Sequence, residues 1–245
     1  MENDSILEKR RLTSEQIASY EHEGYLVIPD VFTLAELEAV DRELDCLVEQ
    51  AQDQTGEGHV GPNRNPGWLL QLGLRSEITQ RFVRDERVLD LISDIVRPGV
   101  AIYSAKLTAK MPQSTDICHW HQDNAYYNAH AMSMTRMSTW IPLTDTDVQN
   151  GCLWVVPGSH KGGVREHGQY GGQCPKAMGP ADMIADGAVP CPVAAGDMLI
   201  FSSDLWHHSK ENLTDRIRRA FIVSYQEATV PRGNGAQWKI LREAV

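Results

Sequence analysis

The chain lacks the features that would tie it to a membrane, a secreted scaffold or a nucleic acid. No apolar run reaches the length of a transmembrane helix, and the polar start MENDSILEKRR has none of the apolar stretch of a secretory signal. Its 5 cysteines are odd in number and contain no C-x-x-C pair. That pattern predicts free thiols in a reducing cytoplasm and no disulfide framework. Positive charge is also scarce. The 23 Lys and Arg residues face 33 Asp and Glu, and the net charge of −10 disfavours attraction to phosphate backbones or anionic lipid. The expected partner is a small molecule, with no nucleic acid and no membrane; the sequence specifies no oligomeric state.

What is present suits one domain over 1–245, with a helical part to about residue 98 and a strand-rich core over about 99–230. A chain of this length buries enough apolar surface to need no disulfide or structural metal. Thr13-Ser14-Glu15-Gln16 and Thr33-Leu34-Ala35-Glu36 both have capping-box spacing. After Thr33, the spacing of Leu34, Leu37, Val40, Leu44, Leu47 and Val48 predicts an amphipathic helix to about Gln50. Between the two helices, Tyr25–Ile28 reads as a short strand ended by Pro29. Residues 53–67 are rich in Gly, Pro and Asn and read as a loop, a candidate lid, before helical spacing returns over 77–96.

From Gly99 the period becomes two. Ala101, Tyr103, Ala105, Leu107, Ala109 and Met111 alternate with Ile102, Ser104, Lys106, Thr108 and Lys110, as on a strand lining a wet cavity. Further strands are expected at 117–123, 135–143, 152–156, 197–203 and 218–228. Residues 161–192 read as a long excursion, and a second candidate lid. Helices first and short strands afterwards predict a sandwich or barrel with helices packed outside it.

The chemistry concentrates in two places. In 117–123, strict alternation would send His119, His121 and Asp123 to one face and Cys118, Trp120 and Gln122 to the other. An imidazole and a carboxylate at i and i+2 can share a cation, and one more histidine would complete a facial triad with open positions. A bare H-x-D is weak evidence, since a surface histidine bonded to a carboxylate explains it more often than a metal does. The second place is His207-His208-Ser209, followed eleven residues after His207 by Arg218, at the head of a strand on which Arg218, Ala220, Ile222, Ser224 and Gln226 share a face. An arginine facing a cavity needs an anion, and its planar fork matches a carboxylate. The competing reading of Arg216, Arg218 and Arg219 is a solvated basic edge.

These segments resemble the phytanoyl-CoA dioxygenase-like (PhyH) family of Fe(II)/2-oxoglutarate oxygenases. The resemblance runs through residues 12–40, SAKLTAKMP (104–112), HWHQDNAYY (119–127), NGCLWVVPGSHKGG (150–163), AGDMLIF (195–201) and HHSKENLTDRIRRAF (207–221). The last is the most specific, with Ser209, Asn212, Thr214 and Arg218 at fixed steps after His207. The resemblance implies a mainly β fold with flanking helices, around a double-stranded β-helix of the jelly-roll or cupin-like type. It implies His121, Asp123 and His207 as catalytic iron ligands and Arg218 as partner of the 2-oxoglutarate C5 carboxylate. Ser209, Trp140, Thr108 and Gln122 would help seat that cosubstrate, although alternation turns Gln122 away. Counting back from Arg218 makes His207, and not His208, the ligand.

The implied cofactors are Fe(II), 2-oxoglutarate as cosubstrate and O2, and the implied outcome is hydroxylation of a C–H. Related halogenases replace the carboxylate by a small residue, so Asp123 argues against halogenation. Desaturation, cyclisation and epimerisation use the same ligands. Substrate contacts are expected from Lys106, His119, Tyr126, Tyr127, Arg136, Trp206 and His208. Two other classes compete: a non-catalytic metal- and anion-binding barrel, and a zinc hydrolase, for which Arg218 has no purpose.

Overall fold

The computed structural model describes residues 11–55, 69–70, 75–126, 135–170, 174, 176–179, 186–230 and 239–244. Helix α1 (Ser14–Glu23) begins where expected: Thr13 Oγ1 accepts the Gln16 N–H while the Gln16 side chain accepts that of Thr13. It stops at Gly24, whose φ of 84° brings its N–H onto Tyr20 O and turns the chain into β1 (Tyr25–Ile28). Helix α2 (Leu34–Thr55) buries Leu37, Val40, Leu44 and Leu47 along one stripe. It runs past Gln50, so Asp53–Thr55 of the expected loop are helical, and the rest of 53–67 lies outside the described residues. After β2 (Leu69–Leu70), the 77–96 stretch divides into α3 (Glu77–Phe82) and α4 (Glu86–Ile92). The division falls at Asp85, whose carboxylate accepts the Arg87 N–H and caps a second start.

The strands follow as β3 (Val100–Lys110), β4 (Cys118–His121), β5 (Met137–Pro142), β6 (Leu153–Val155), β7 (His167–Gly168), β8 (Ala177–Met178), β9 (Val189–Cys191), β10 (Met198–Ser202), β11 (His207–Ser209), β12 (Arg218–Gln226) and β13 (Lys239–Arg242). Among its described residues the excursion over 161–192 contains three short strands: β7 and β8 pair with each other, and β9 edges the smaller sheet. The larger antiparallel sheet runs β1-β10-β5-β12-β3-β13, with β2 also on β3, and the smaller runs β4-β11-β6-β9. This is the jelly-roll core, with the helices packed on the outer face of the larger sheet.

Strand β12 shows how alternation builds both layers. Phe221, Val223 and Tyr225 join Leu37, Val40, Leu44 and Leu89 in the helix-side core. Ala220 and Ile222 point the other way, where Trp140 and Phe201 meet Leu153 and Val155 of the smaller sheet. Arg218 and Arg219 divide likewise. Arg219 pairs with Asp41 and Asp45 on α2, while Arg218 enters the space between the sheets. Neither is part of a solvated edge, for both are buried.

The free-thiol expectation fails at one pair. Cys118 and Cys174 form a disulfide across 56 residues, while Cys46, Cys152 and Cys191 are free. Pairing follows proximity in the fold, and no short spacing motif announces a partner that far away. Among the described residues no helix is long and apolar enough to cross a membrane.

Candidate metal centre

Strands β4 and β11 bring the two histidines together. His207 lies opposite His121 in the ladder, and their rings are 4.1 Å apart. Two residues later on β11, Ser209 lies opposite Cys118, three residues back on β4. That mismatch is a bulge, and it breaks the alternation expected for 117–123. Cys118 therefore shares the cavity wall with His121, whereas His119 does not line it and is half-buried. Asp123 stands just past the strand, at the start of a 3-10 turn over Asp123–Tyr126.

Each ligand candidate is held by a second contact. His121 Nδ1 donates to His119 O at 2.8 Å and His207 Nδ1 to Leu205 O at 2.9 Å, which leaves each Nε2 as the acceptor. Asp123 Oδ1 lies 4.0 Å from His121 Nε2 and 3.9 Å from His207 Nε2. Its Oδ2 accepts the Ser138 hydroxyl at 2.9 Å. The 3-10 turn is itself pinned: Arg136 donates to Asn124 Oδ1 at 2.7 Å and to Gln226 Oε1, and Asn124 donates to Asp204.

The electrostatics suit a cation. Burial pushes His121 and His207 below the usual histidine range, which keeps both imidazoles neutral and their lone pairs available. Burial opposes ionisation of Asp123. The nearby charges of Lys106, His207 and His121, with the Ser138 hydrogen bond, nevertheless hold its carboxyl below the usual range. The three groups lie within 4.8 Å of one another and are buried, a two-nitrogen, one-oxygen set that fits Fe(II) with open positions.

Arg218 closes one end of the cavity. It is 2% exposed, its Nη1 lies 3.4 Å from Thr108 Oγ1, and its guanidinium sits 5.6 Å over the Trp140 ring. Burial lowers its pKa to about 10, and its Nε has no hydrogen-bond partner. Among the described residues no carboxylate pairs with it. A buried guanidinium in that condition fits an anionic ligand, because burying a charge without a counter-charge is costly. Thr108, Trp140 and Ser209 line the same cavity, as expected of them.

Other expected contacts lie elsewhere. Gln122 is buried but turned outward, donating to Gly163 O and Asp204 O and accepting the Arg165 N–H, so it fastens the 163–167 segment and does not reach the cavity. His208 stacks on Trp120 at 4.1 Å on the far face of the smaller sheet, one residue out of phase with His207. Trp206 packs under Arg165, and Arg136 is spent on the turn. Tyr126 stands edge-on to His121 at 5.7 Å with its hydroxyl bonded to Lys176 O, behind the ligand and outside the cavity lining. Tyr127 lies outside the described residues. Of the expected substrate contacts described, Lys106 alone lines the cavity, its Nζ 3.9 Å from Asp123 Oδ1.

Sequence reasoning missed Ser138, although Trp140, two residues on, marks its face. It also missed Cys118, Cys174, Leu153 and Phe201 on the wall. The cavity volume is ≈ 40 Å³, well below that of a drug-sized ligand site.

A family model described as Phytanoyl-CoA dioxygenase (PhyH) matches residues 20–220. The chain is 34% identical over 113 residues to Phytanoyl-CoA dioxygenase domain-containing protein 1 of Bos taurus, a match covering 44% of this chain and 38% of that protein. It is 25% identical over 234 residues to an ectoine dioxygenase of Bordetella parapertussis, covering 87% and 75%. The chain thus spans well under half of the cattle relative. Among solved structures, EctD from S. alaskensis with 2-oxoglutarate and 5-hydroxyectoine superposes with a TM-score of 0.74 at 20% identity, covering 95% of this chain and 80% of that one. At that identity the likeness speaks for the fold.

Proposed function

The chain belongs to the phytanoyl-CoA dioxygenase (PhyH) family, and from that premise we propose that it is an Fe(II)- and 2-oxoglutarate-dependent dioxygenase that hydroxylates an aliphatic C–H of a small metabolite. The observation that carries the reading is the pairing of a buried His121–Asp123–His207 cluster with Arg218, a buried guanidinium whose Nε lacks a partner, in one cavity.

The chain's own residues have distinct tasks. His121 and His207 present Nε2 because each Nδ1 is committed to a backbone carbonyl. Asp123 presents Oδ1 because Ser138 holds Oδ2. Arg218 takes the distal carboxylate of 2-oxoglutarate, with Thr108, Ser209 and Trp140 shaping its seat. Leu153, Phe201 and Ile222 form the apolar wall that keeps water from the reacting centre. Bound there, the iron with its cosubstrate and O2 supplies the C–H oxidation, with succinate and CO2 as co-products.

A free small metabolite suits the size of the cavity better than a large carrier thioester, and Lys106 beside Asp123 suits a substrate carboxylate or phosphate. The relative named an ectoine dioxygenase, matched over most of its length, is in keeping with a small substrate. The experiment is a metabolite panel scored by substrate-dependent succinate formation. The reading expects at least one acidic metabolite to raise succinate above the substrate-free rate and to gain one oxygen atom. No succinate from 2-oxoglutarate under any condition would leave only a metal- and anion-binding barrel, and loss of two hydrogens would mark a desaturase or cyclase.

A further inference from the structure

The bulge in β4 has a chemical consequence beyond the iron site. It turns Cys118 onto the side of His121, so that its Sγ lies 3.5 Å from His121 Nδ1 and 3.9 Å from Nε2. Cys174 sits opposite, with its Cα 4.9 Å from that of Cys118, and both cysteines line the cavity that holds the His121–Asp123–His207 cluster. The potential ligand atoms of Cys118, His121 and Cys174 all lie within 4.8 Å of one another, and all three residues are buried.

We propose that, once its disulfide is reduced, the Cys118–Cys174 pair forms with His121 a second metal site, for a thiophilic ion such as Zn2+ or Cd2+, that withdraws His121 from the iron triad. The proposal rests on the assignment of His121 to iron made above.

The chemistry of the two donor sets separates them. Two thiolates and an imidazole, with the fourth tetrahedral position left to water, select soft or borderline ions, whereas two imidazoles and a carboxylate with open positions suit Fe(II). A neutral imidazole has one acceptor nitrogen. Metal at Nδ1 moves the ring proton to Nε2, and metal at Nε2 occupies it directly. Either way His121 cannot serve both sites, and the two metals exclude each other. The disulfide holds both sulfurs off metals and reserves His121 for the triad. Reduction by a phosphine splits the S–S bond and yields two thiols, the phosphine taking up oxygen from one water molecule to become the phosphine oxide. Metal binding then displaces the two thiol protons. The bond can be remade by exchange with a low-molecular-weight disulfide, which leaves as two thiols.

The test uses the full chain in two states, one oxidised with a low-molecular-weight disulfide and desalted, the other reduced with a phosphine, since a dithiol would itself bind the metal. Each is titrated anaerobically with Cd2+ while the ultraviolet thiolate-to-cadmium absorption is followed. Fe(II) and 2-oxoglutarate are then added and the weak visible band of their complex is read. The expected result is a saturable cadmium band in the reduced protein only. It is lost in Cys118→Ser and in Cys174→Ser, both of which retain Cys46, Cys152 and Cys191. Cadmium-loaded reduced protein also loses the visible band at the Fe(II) concentration that saturates the oxidised protein. Circular dichroism checks the folding of the variants, and the oxidised-against-reduced comparison needs no variant. No band on reduction, or a band undiminished in the serine variants, overturns the site. Simultaneous full binding of both metals overturns the competition. Absence of the visible band in oxidised, cadmium-free protein would instead strike the iron reading and leave the cadmium result standing.

Discussion

Ser138 on β5 donates its hydroxyl to Asp123 Oδ2 at 2.9 Å, and its oxygen lies 2.9 Å from the Ser224 hydroxyl on β12. The larger sheet thereby sets which oxygen of the carboxylate faces the histidines. Ser138→Ala leaves Asp123 free to rotate. Outer contacts of this kind are worth about 10–100-fold in metal affinity, so the variant should bind Fe(II) more weakly by that order while its melting temperature barely moves. Anaerobic equilibrium dialysis of Fe(II) measures it, and an unchanged affinity would mean the carboxylate is oriented by something else.

Arg218→Met separates ligand binding from stability. Removing the guanidinium leaves the 2-oxoglutarate carboxylate without its charged partner, a loss of about 3 kcal/mol or on the order of a hundredfold in half-saturating 2-oxoglutarate. The cosubstrate-free protein, by contrast, loses a buried charge that no carboxylate balances among the described residues, so its melting temperature should hold or rise. Thermal melts with and without 2-oxoglutarate give both quantities. Equal cosubstrate-induced stabilisation in variant and wild type would place the anchor elsewhere.

Among the described residues, Lys106 is the one expected substrate contact on the cavity wall. Lys106→Met should change which metabolites stimulate succinate formation, lowering the response to acidic compounds more than to neutral ones. The check is the same panel run on both proteins at matched Fe(II) and 2-oxoglutarate. A uniform loss across the panel would instead assign Lys106 to Asp123 or to the cosubstrate.

Away from the site, Glu36 on α2 accepts from Arg87 Nη2 on α4 at 2.7 Å. That hydrogen bond, opposed by burial and aided by the bonds from Thr33, lowers the Glu36 pKa from 4.5 to about 2. A carboxyl whose folded pKa is depressed contributes stability that is fully present above its unfolded value and disappears as pH falls through the folded one. The contribution should fade between pH 4.5 and about 2. Glu36→Gln should melt below wild type near neutral pH, with the gap closing across that window, and a gap independent of pH would contradict the assignment.

That His121, Asp123, His207 and Arg218 share one cavity was legible through the family resemblance, since H-x-D alone is weak and its strand is bulged. His207 and Arg218 stand at the heads of consecutive strands, and the connection over 210–217 sets the eleven-residue step from one to the other. The two faces of β12 were equally legible, since strict alternation holds from Arg218 to Ser224. What failed was alternation in β4. A bulge is set by register with the partner strand, and nothing in Cys118-His119-Trp120-His121 itself announces it. From that one slip came the wrong face for Cys118 and the mistaken placement of His119 in the cavity. The Cys118–Cys174 pair was illegible for a related reason, being a contact between segments 56 residues apart. Gln122 was read correctly by alternation and wrongly by resemblance.

The central claim is that His121, Asp123 and His207 hold Fe(II) while Arg218 holds 2-oxoglutarate beside it. Anaerobic titration of the protein with Fe(II) and 2-oxoglutarate, read by the visible band of the complex, tests it most directly. Asp123→Ala is the comparison, and its fold should survive because Ser138 keeps Ser224 as a partner. The prediction is a saturable band in the wild type that needs both additions, gives no response to Zn2+, and is absent from Asp123→Ala. A band of equal strength in Asp123→Ala, or none in the wild type, would contradict it.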